Sequence, residues 1–200
     1  MENVSTYNEE MEPKSHMNEA VKLGLIWCAI TTIVFLITFY AIPNSLASPT
    51  FGIISMVISI GLAVYFTLEL RKKFDGYWSF SVALRHIFVM FLVQIVASTV
   101  ISTAFFKFVE PSSVASITEA SMNSLIEMYE NMGMTQEQID QFVDEMEVQM
   151  KKSFNPSIGE FLQGLAIQAI MYFVGALIFA AIFKRNRPVF QTVHDDEEVE

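Results

Sequence analysis

Charge is what this chain withholds. Four long stretches contain no Asp, Glu, Lys or Arg: Leu23–Ile42, Phe51–Leu68, Ile87–Phe106 and Phe161–Phe183. Each is close to the roughly 20 residues that a helix needs to cross about 30 Å of hydrocarbon. A helix buried in a soluble core rarely runs so far without a solvated face. The absence argues against a soluble fold. It predicts an all-α, polytopic membrane protein, a bundle of four transmembrane helices over about 21–42, 51–70, 80–108 and 157–183.

Other absences narrow the chemistry. The single cysteine, Cys28, excludes an intrachain disulfide and a multi-cysteine metal site, and its place inside the first apolar run points to packing. With 12 Lys and Arg against 22 Asp and Glu, the net charge is −10, which speaks against nucleic acid, whose phosphates need clustered basic residues. There is no paired-histidine zinc motif, no nucleophile elbow and no phosphate-binding glycine loop, and no acid–base pair at matching depth is evident beyond Glu69 and His86. An intramembrane charge is the default sign of a functional site, and the four runs hold none. The expectation is a non-enzymatic protein with no cofactor and no metal. No cleavable signal peptide is expected either, because no short apolar core is followed by a small-residue cleavage site.

What is present agrees with lipid as the main partner. Hydrophobic residues make up 52% and charged residues 17% of the chain, with a mean hydropathy of +0.41, whereas a soluble domain carries about 25% charge. The charges gather between the runs and at the ends. Residues 1–19 are expected to be a disordered N-terminus, and 188–200 a disordered acidic tail.

Orientation follows from Lys and Arg, which collect in short cytoplasmic loops. Lys14 and Lys22 precede the first span; Arg71, Lys72, Lys73 and Arg85 lie between the second and third; Lys184, Arg185 and Arg187 follow the fourth. The opposite side holds only Lys107, Lys151 and Lys152. Both termini are predicted to be cytoplasmic, with Pro43–Thr50 and the segment 107–160 outside. Ser79 is placed to cap the third helix, which is expected to run on to Phe108 before Pro111, about 40 Å in all. Asn155-Pro156 reads as the start of the fourth. Glu69 and Arg85 are placed to form a structural ion pair across the turn between the second and third helices.

Between the third and fourth spans the pattern turns amphipathic. Ser116-Ile-Thr-Glu119 and Thr135-Gln-Glu-Gln138 both match a capping box, and Gly133 between them matches a left-handed helix terminator. Two antiparallel helices are predicted, 117–132 and 136–152, within an outer hairpin spanning 116–152. Their apolar stripes are Met122, Leu125, Met128, Tyr129 and Met132, then Ile139, Phe142, Val143, Met146 and Met150. Neither stripe can stay in water. The hairpin itself with the ends of the bundle, a second copy, or a protein partner accommodated by adaptable methionines are the candidate covers. Flat binding on the membrane is disfavoured, because interfacial helices show a basic polar face and this one is acidic. These stripe residues are the candidate partner surface.

Within the spans, Gln94, Gln163 and Gln168 with Ser55, Ser59, Ser98 and Ser102 are the main polar side chains. They read as hydrogen-bonding glue between helices, and small residues such as Gly61, Gly164, Gly175, Ala176 and Ala180 permit close approach. An alternative is that the glutamines line a path in a small transporter or channel component.

Two stretches carry a family resemblance. Arg71-Lys-Lys-Phe-Asp-Gly-Tyr-Trp-Ser-Phe-Ser-Val-Ala83 resembles the basic, glycine-aromatic approach to the third helix in domain of unknown function family 4199. Glu127–Met150, with its Met-Gly-Met-Thr-Gln-Glu-Gln-Ile core, resembles that family's acidic, Met-rich insert. The resemblance spans roughly 20–187, with Arg85-His86 departing from the family pattern. It implies an uncharacterised four-helix protein of a bacterial inner membrane, of a kind found mainly in Bacteroidetes, and supplies no activity.

Overall fold

The computed structural model describes residues 14–154 and 156–186, which are helical with no strand among them. Helix α1 (Lys14–Ala41) leads through a 3-10 turn, Pro43–Ala47, into α2 (Pro49–Lys72). Helix α3 (Phe80–Ala104) continues as a π-helical turn, Phe105–Val109. Two shorter helices follow, α4 (Ser113–Asn131) and α5 (Gln136–Phe154), and α6 (Ile158–Phe183) ends the described chain. Four helical segments are long and apolar enough to cross a membrane: His16–Ala41, Pro49–Lys72, Phe80–Val109 and Ile158–Phe183. The third is 30 residues long, roughly 45 Å at 1.5 Å per residue, so it tilts in the bilayer or projects beyond it.

The helix starts show which local signals prevail. Pro49 opens α2 at a position where its missing N–H leaves no bond unmade. Ser79 caps α3, its side chain accepting from the Val82 amide at 3.5 Å. Ser157, not Asn155-Pro156, caps α6; Asn155 itself lies outside the described residues. A full capping box operates there, with Ser157 Oγ accepting from Glu160 N at 3.3 Å and Glu160 Oε2 accepting from Ser157 N at 2.9 Å. The box expected at Ser116 does not form. Helix α4 begins at Ser113, and the Ser116 hydroxyl donates to Ser113 O from within the helix.

The first helix begins at Lys14, so residues 14–19, expected to be disordered, are helical. Contacts with the α2–α3 turn hold them. Ala20 is fully buried, His16 lies 4.3 Å from the Phe74 ring, and Glu19 pairs with Lys73 at 3.3 Å. The remaining 1–13, Arg187 and the acidic tail lie outside the described residues.

Helix α3 is the hub, packed on α1 and α6. Where α1 passes α3, Gly24 allows an approach so close that an added Cβ would sit 2.7 Å from Met90 O. Near the far ends of these two helices, Phe35 and Phe39 meet Phe105 edge-on at 5.4 and 5.0 Å. The core cluster gathers Trp27, Phe66, Leu70, Trp78, Ile87, Met90, Phe91, Ala176 and Ala180. Helix α2 buries Ala63, Phe66, Thr67 and Leu70, all in its second half, while Ile53, Met56, Val57 and Ile60 of its first half are exposed. Helix α6 buries Ala176 and Ala180 late in its course and exposes Ile158, Leu162 and Ile167 early. The bundle is thus closed at the end where α1 begins and α6 finishes, and open toward α4 and α5.

A clasp seals the closed end. Asp75 and Gly76, at φ 56° and 80°, turn the chain between α2 and α3. Trp78 N donates to Arg185 O at 2.9 Å, and Arg185 N donates to Trp78 O at 3.0 Å. The Arg185 guanidinium lies 5.1 Å above the Tyr77 ring.

Candidate functional site

Helices α4 and α5 fold back on each other around Gly133, whose φ of +79° permits the left-handed turn. Gly133 N donates to Glu130 O at 2.9 Å and Met134 N to Tyr129 O at 3.1 Å, the paired bonds of a Schellman end. At the start of α5, Gln138 Oε1 accepts from Thr135 N at 3.1 Å, so the side-chain half of that capping box is made.

The two stripes face each other and largely cover themselves. Ile139 is 1% and Met122 7% exposed, and the Tyr129 and Phe142 rings meet at 5.8 Å. Leu125, Met128, Tyr129, Val143, Met146 and Met150 are half-buried. Two members of the stripes remain outside: Met132, 70% exposed at the turn, and Phe142, 47% exposed on α5. Alongside lies a groove of about 650 Å³ lined mainly by apolar groups, among them Val114, Met122, Ile126 and Val143. Thr118 also lines it, with a buried hydroxyl that has no partner among the described residues. The segment 113–154 is acidic in composition, with eight carboxylates and two lysines.

A second cavity, about 420 Å³, opens between α3 and α6 near the α5 end. Thr99 and Thr103 form its α3 wall, Gln163 and Gln168 its α6 wall, and Gln149 reaches it from α5. Thr99 Oγ1 donates to Gln168 Oε1 at 3.1 Å across the cleft. Gln94 is elsewhere. Its Nε2 donates to Ser98 Oγ at 3.1 Å, which donates to Cys28 Sγ of α1 at 3.4 Å. The three glutamines therefore do not line one path, and the link between α1 and α3 is made by Ser98, to which Gln94 donates from within α3.

At the closed end the carboxylate of Glu69 pairs along its own helix with Lys72, and Arg85 is exposed, so the structure does not bring Glu69 and Arg85 together. The i, i+3 geometry of one helix reaches Lys72 without crossing the turn. His86 is buried; its Nδ1 bonds Val82 O at 2.8 Å, and its ring meets Phe74 edge-on at 4.8 Å. Sequence reasoning missed both the α3–α6 cleft and the clasp. The in-span glutamines marked part of the first, and Trp78, within the Arg71–Ala83 stretch that carries the family resemblance, marked the second.

No group of metal-ligating side chains occurs among the described residues. No curated protein and no solved structure matches the chain. A family model, described as protein of unknown function (DUF4199), matches residues 18–185, which takes in the clasp, the four candidate spans apart from the first turn of α1, and the α4–α5 pair; the chain belongs to that family.

Proposed function

We propose that this is a non-enzymatic docking protein of a bacterial inner membrane, whose α4–α5 hairpin faces away from the cytoplasm and takes up a basic, amphipathic segment of another protein. The observation that carries this reading is the apolar groove beside Thr118, set in a hairpin with eight carboxylates and two lysines. An apolar groove accepts the apolar face of such a segment, while the carboxylates attract its basic face. The exposed Phe142 and Met132 add apolar contact area outside the groove. Self-association through this surface is disfavoured, since two copies would bring like charges together.

The test is a photoreactive amino acid placed at Phe142 in native membranes. The expected product is an adduct between this chain and a different protein, weakened at high salt as exposed charge pairs are screened. Adducts that join only two copies of this chain, or none at all, would contradict the reading.

A further inference from the structure

Thr99, Thr103, Gln163 and Gln168 belong to two candidate spans, yet they line an open cleft instead of a closed helix interface. Hydroxyl and amide groups facing hydrocarbon are unfavourable unless something polar meets them. Thr99 engages the oxygen of Gln168, which leaves the Gln168 –NH₂ group without a partner among the described residues; the Gln163 amide has none there either. The polar lining gives way to apolar side chains along one face of α6. From Gln163 the helical spacing runs to Ile167, Ile170 and Val174, all exposed. A polar recess continued by an exposed apolar track is the shape of an amphiphile, head in the cleft and chain along the helix.

Charge selects the head. Among the described residues no Lys or Arg lines the cleft, and Glu160 stands at its wall, so a phosphate group finds no counter-charge from them. Amides and hydroxyls, which both donate and accept, suit a neutral group rich in hydroxyls. The volume, about 420 Å³, lies within the usual range of small-molecule sites. We propose that the cleft binds a neutral amphiphile of the bilayer, its glycerol or sugar head held by Thr103, Gln163 and Gln168 and its acyl chain laid along Ile167 and Ile170. This does not depend on the hairpin having a protein partner.

The test uses the full chain in phosphatidylcholine nanodiscs with a monoacylglycerol bearing a photoreactive diazirine on its acyl chain. Peptide mass spectrometry should place the label on α6 between Gln163 and Val174. Unlabelled monoacylglycerol should compete, and phosphatidylglycerol should not. Gln163→Leu, at an exposed position that folding does not need, should cut labelling about five-fold, the scale of one hydrogen bond's net contribution. Gln168→Leu should do the same, and if losing the Thr99 bond prevents folding, Gln163→Leu carries the test alone. Label spread equally over Ile53–Ile60 of α2, equal competition by phosphatidylglycerol, or full labelling of folded Gln163→Leu would each overturn the proposal.

Discussion

The indole Nε1 of Trp78 donates to the carbonyl oxygen of Phe183 at 2.8 Å, joining the approach to α3 to the last turn of α6. The final carbonyls of a helix have no partner within it, so this indole supplies one. Arg71 reaches the same oxygen at a longer 3.5 Å. The stretch that carries the family resemblance therefore holds the closed end of the bundle together.

Replacing Trp78 by Phe removes the N–H while keeping a ring. The expected loss is about 1 kcal/mol, the net worth of one hydrogen bond, since Arg71 still reaches the carbonyl. Trp78→Ala also empties a buried site and should lose about 3–5 kcal/mol. Unfolding in detergent micelles measures both; a Trp78→Phe protein as stable as the parent would dismiss the indole bond as a contributor.

Gly24→Ala places a methyl group 2.7 Å from Met90 O and 3.1 Å from Val93 Cβ. Backbone on one side leaves little room to yield, so α1 must shift from α3, with a loss of about 1–3 kcal/mol. At Gly61 the same change meets nothing within 4 Å and should be neutral or stabilising by up to about 1 kcal/mol. The same unfolding assay ranks the two.

Phe74 lies against His16 of α1 and His86 of α3, at 4.3 and 4.8 Å. Phe74→Ala should loosen the first turns of α1, seen as faster amide hydrogen exchange over residues 16–20, with α4 and α5 unchanged. Unaltered exchange there would mean that the Glu19–Lys73 pair and the burial of Ala20 suffice.

Gly133→Ala forces a side chain into the left-handed region, a strain of about 1–2 kcal/mol. Limited proteolysis between Asn131 and Thr135 should quicken while the four candidate spans stay intact. Unchanged cleavage would show that the turn is not held by this residue.

The spans were legible because a helix in lipid needs a long uncharged run, and four such runs stand out against the charged remainder. The extension of α3 was legible from Pro111, and the turn at Gly133 from the periodic residues before it. Two starts were misread. Ser116 has the right residue spacing, but the chain already turns into helix at Ser113, just after Pro111. Asn155-Pro156 drew attention from the S-x-x-E box two residues later. The splayed half of α2 was not legible at all, since a helix apolar on every side does not say which face meets protein and which meets lipid. Nor was the Trp78–Phe183 bond, which joins residues far apart in the chain. The Glu69–Arg85 expectation failed because helix rotation, invisible in spacing alone, gives Glu69 to Lys72.

The docking reading requires the hairpin and the termini to lie on opposite sides of the membrane, with the hairpin outside. A Cys28→Ser background removes the single native thiol and allows one cysteine at a time. Met132→Cys at the exposed hairpin turn and Asn186→Cys after α6 are then offered a membrane-impermeant maleimide in bacterial spheroplasts. The predicted result is immediate labelling of Met132→Cys, with Asn186→Cys labelled only after lysis. Labelling of Asn186→Cys in intact spheroplasts, with Met132→Cys protected until lysis, would contradict it.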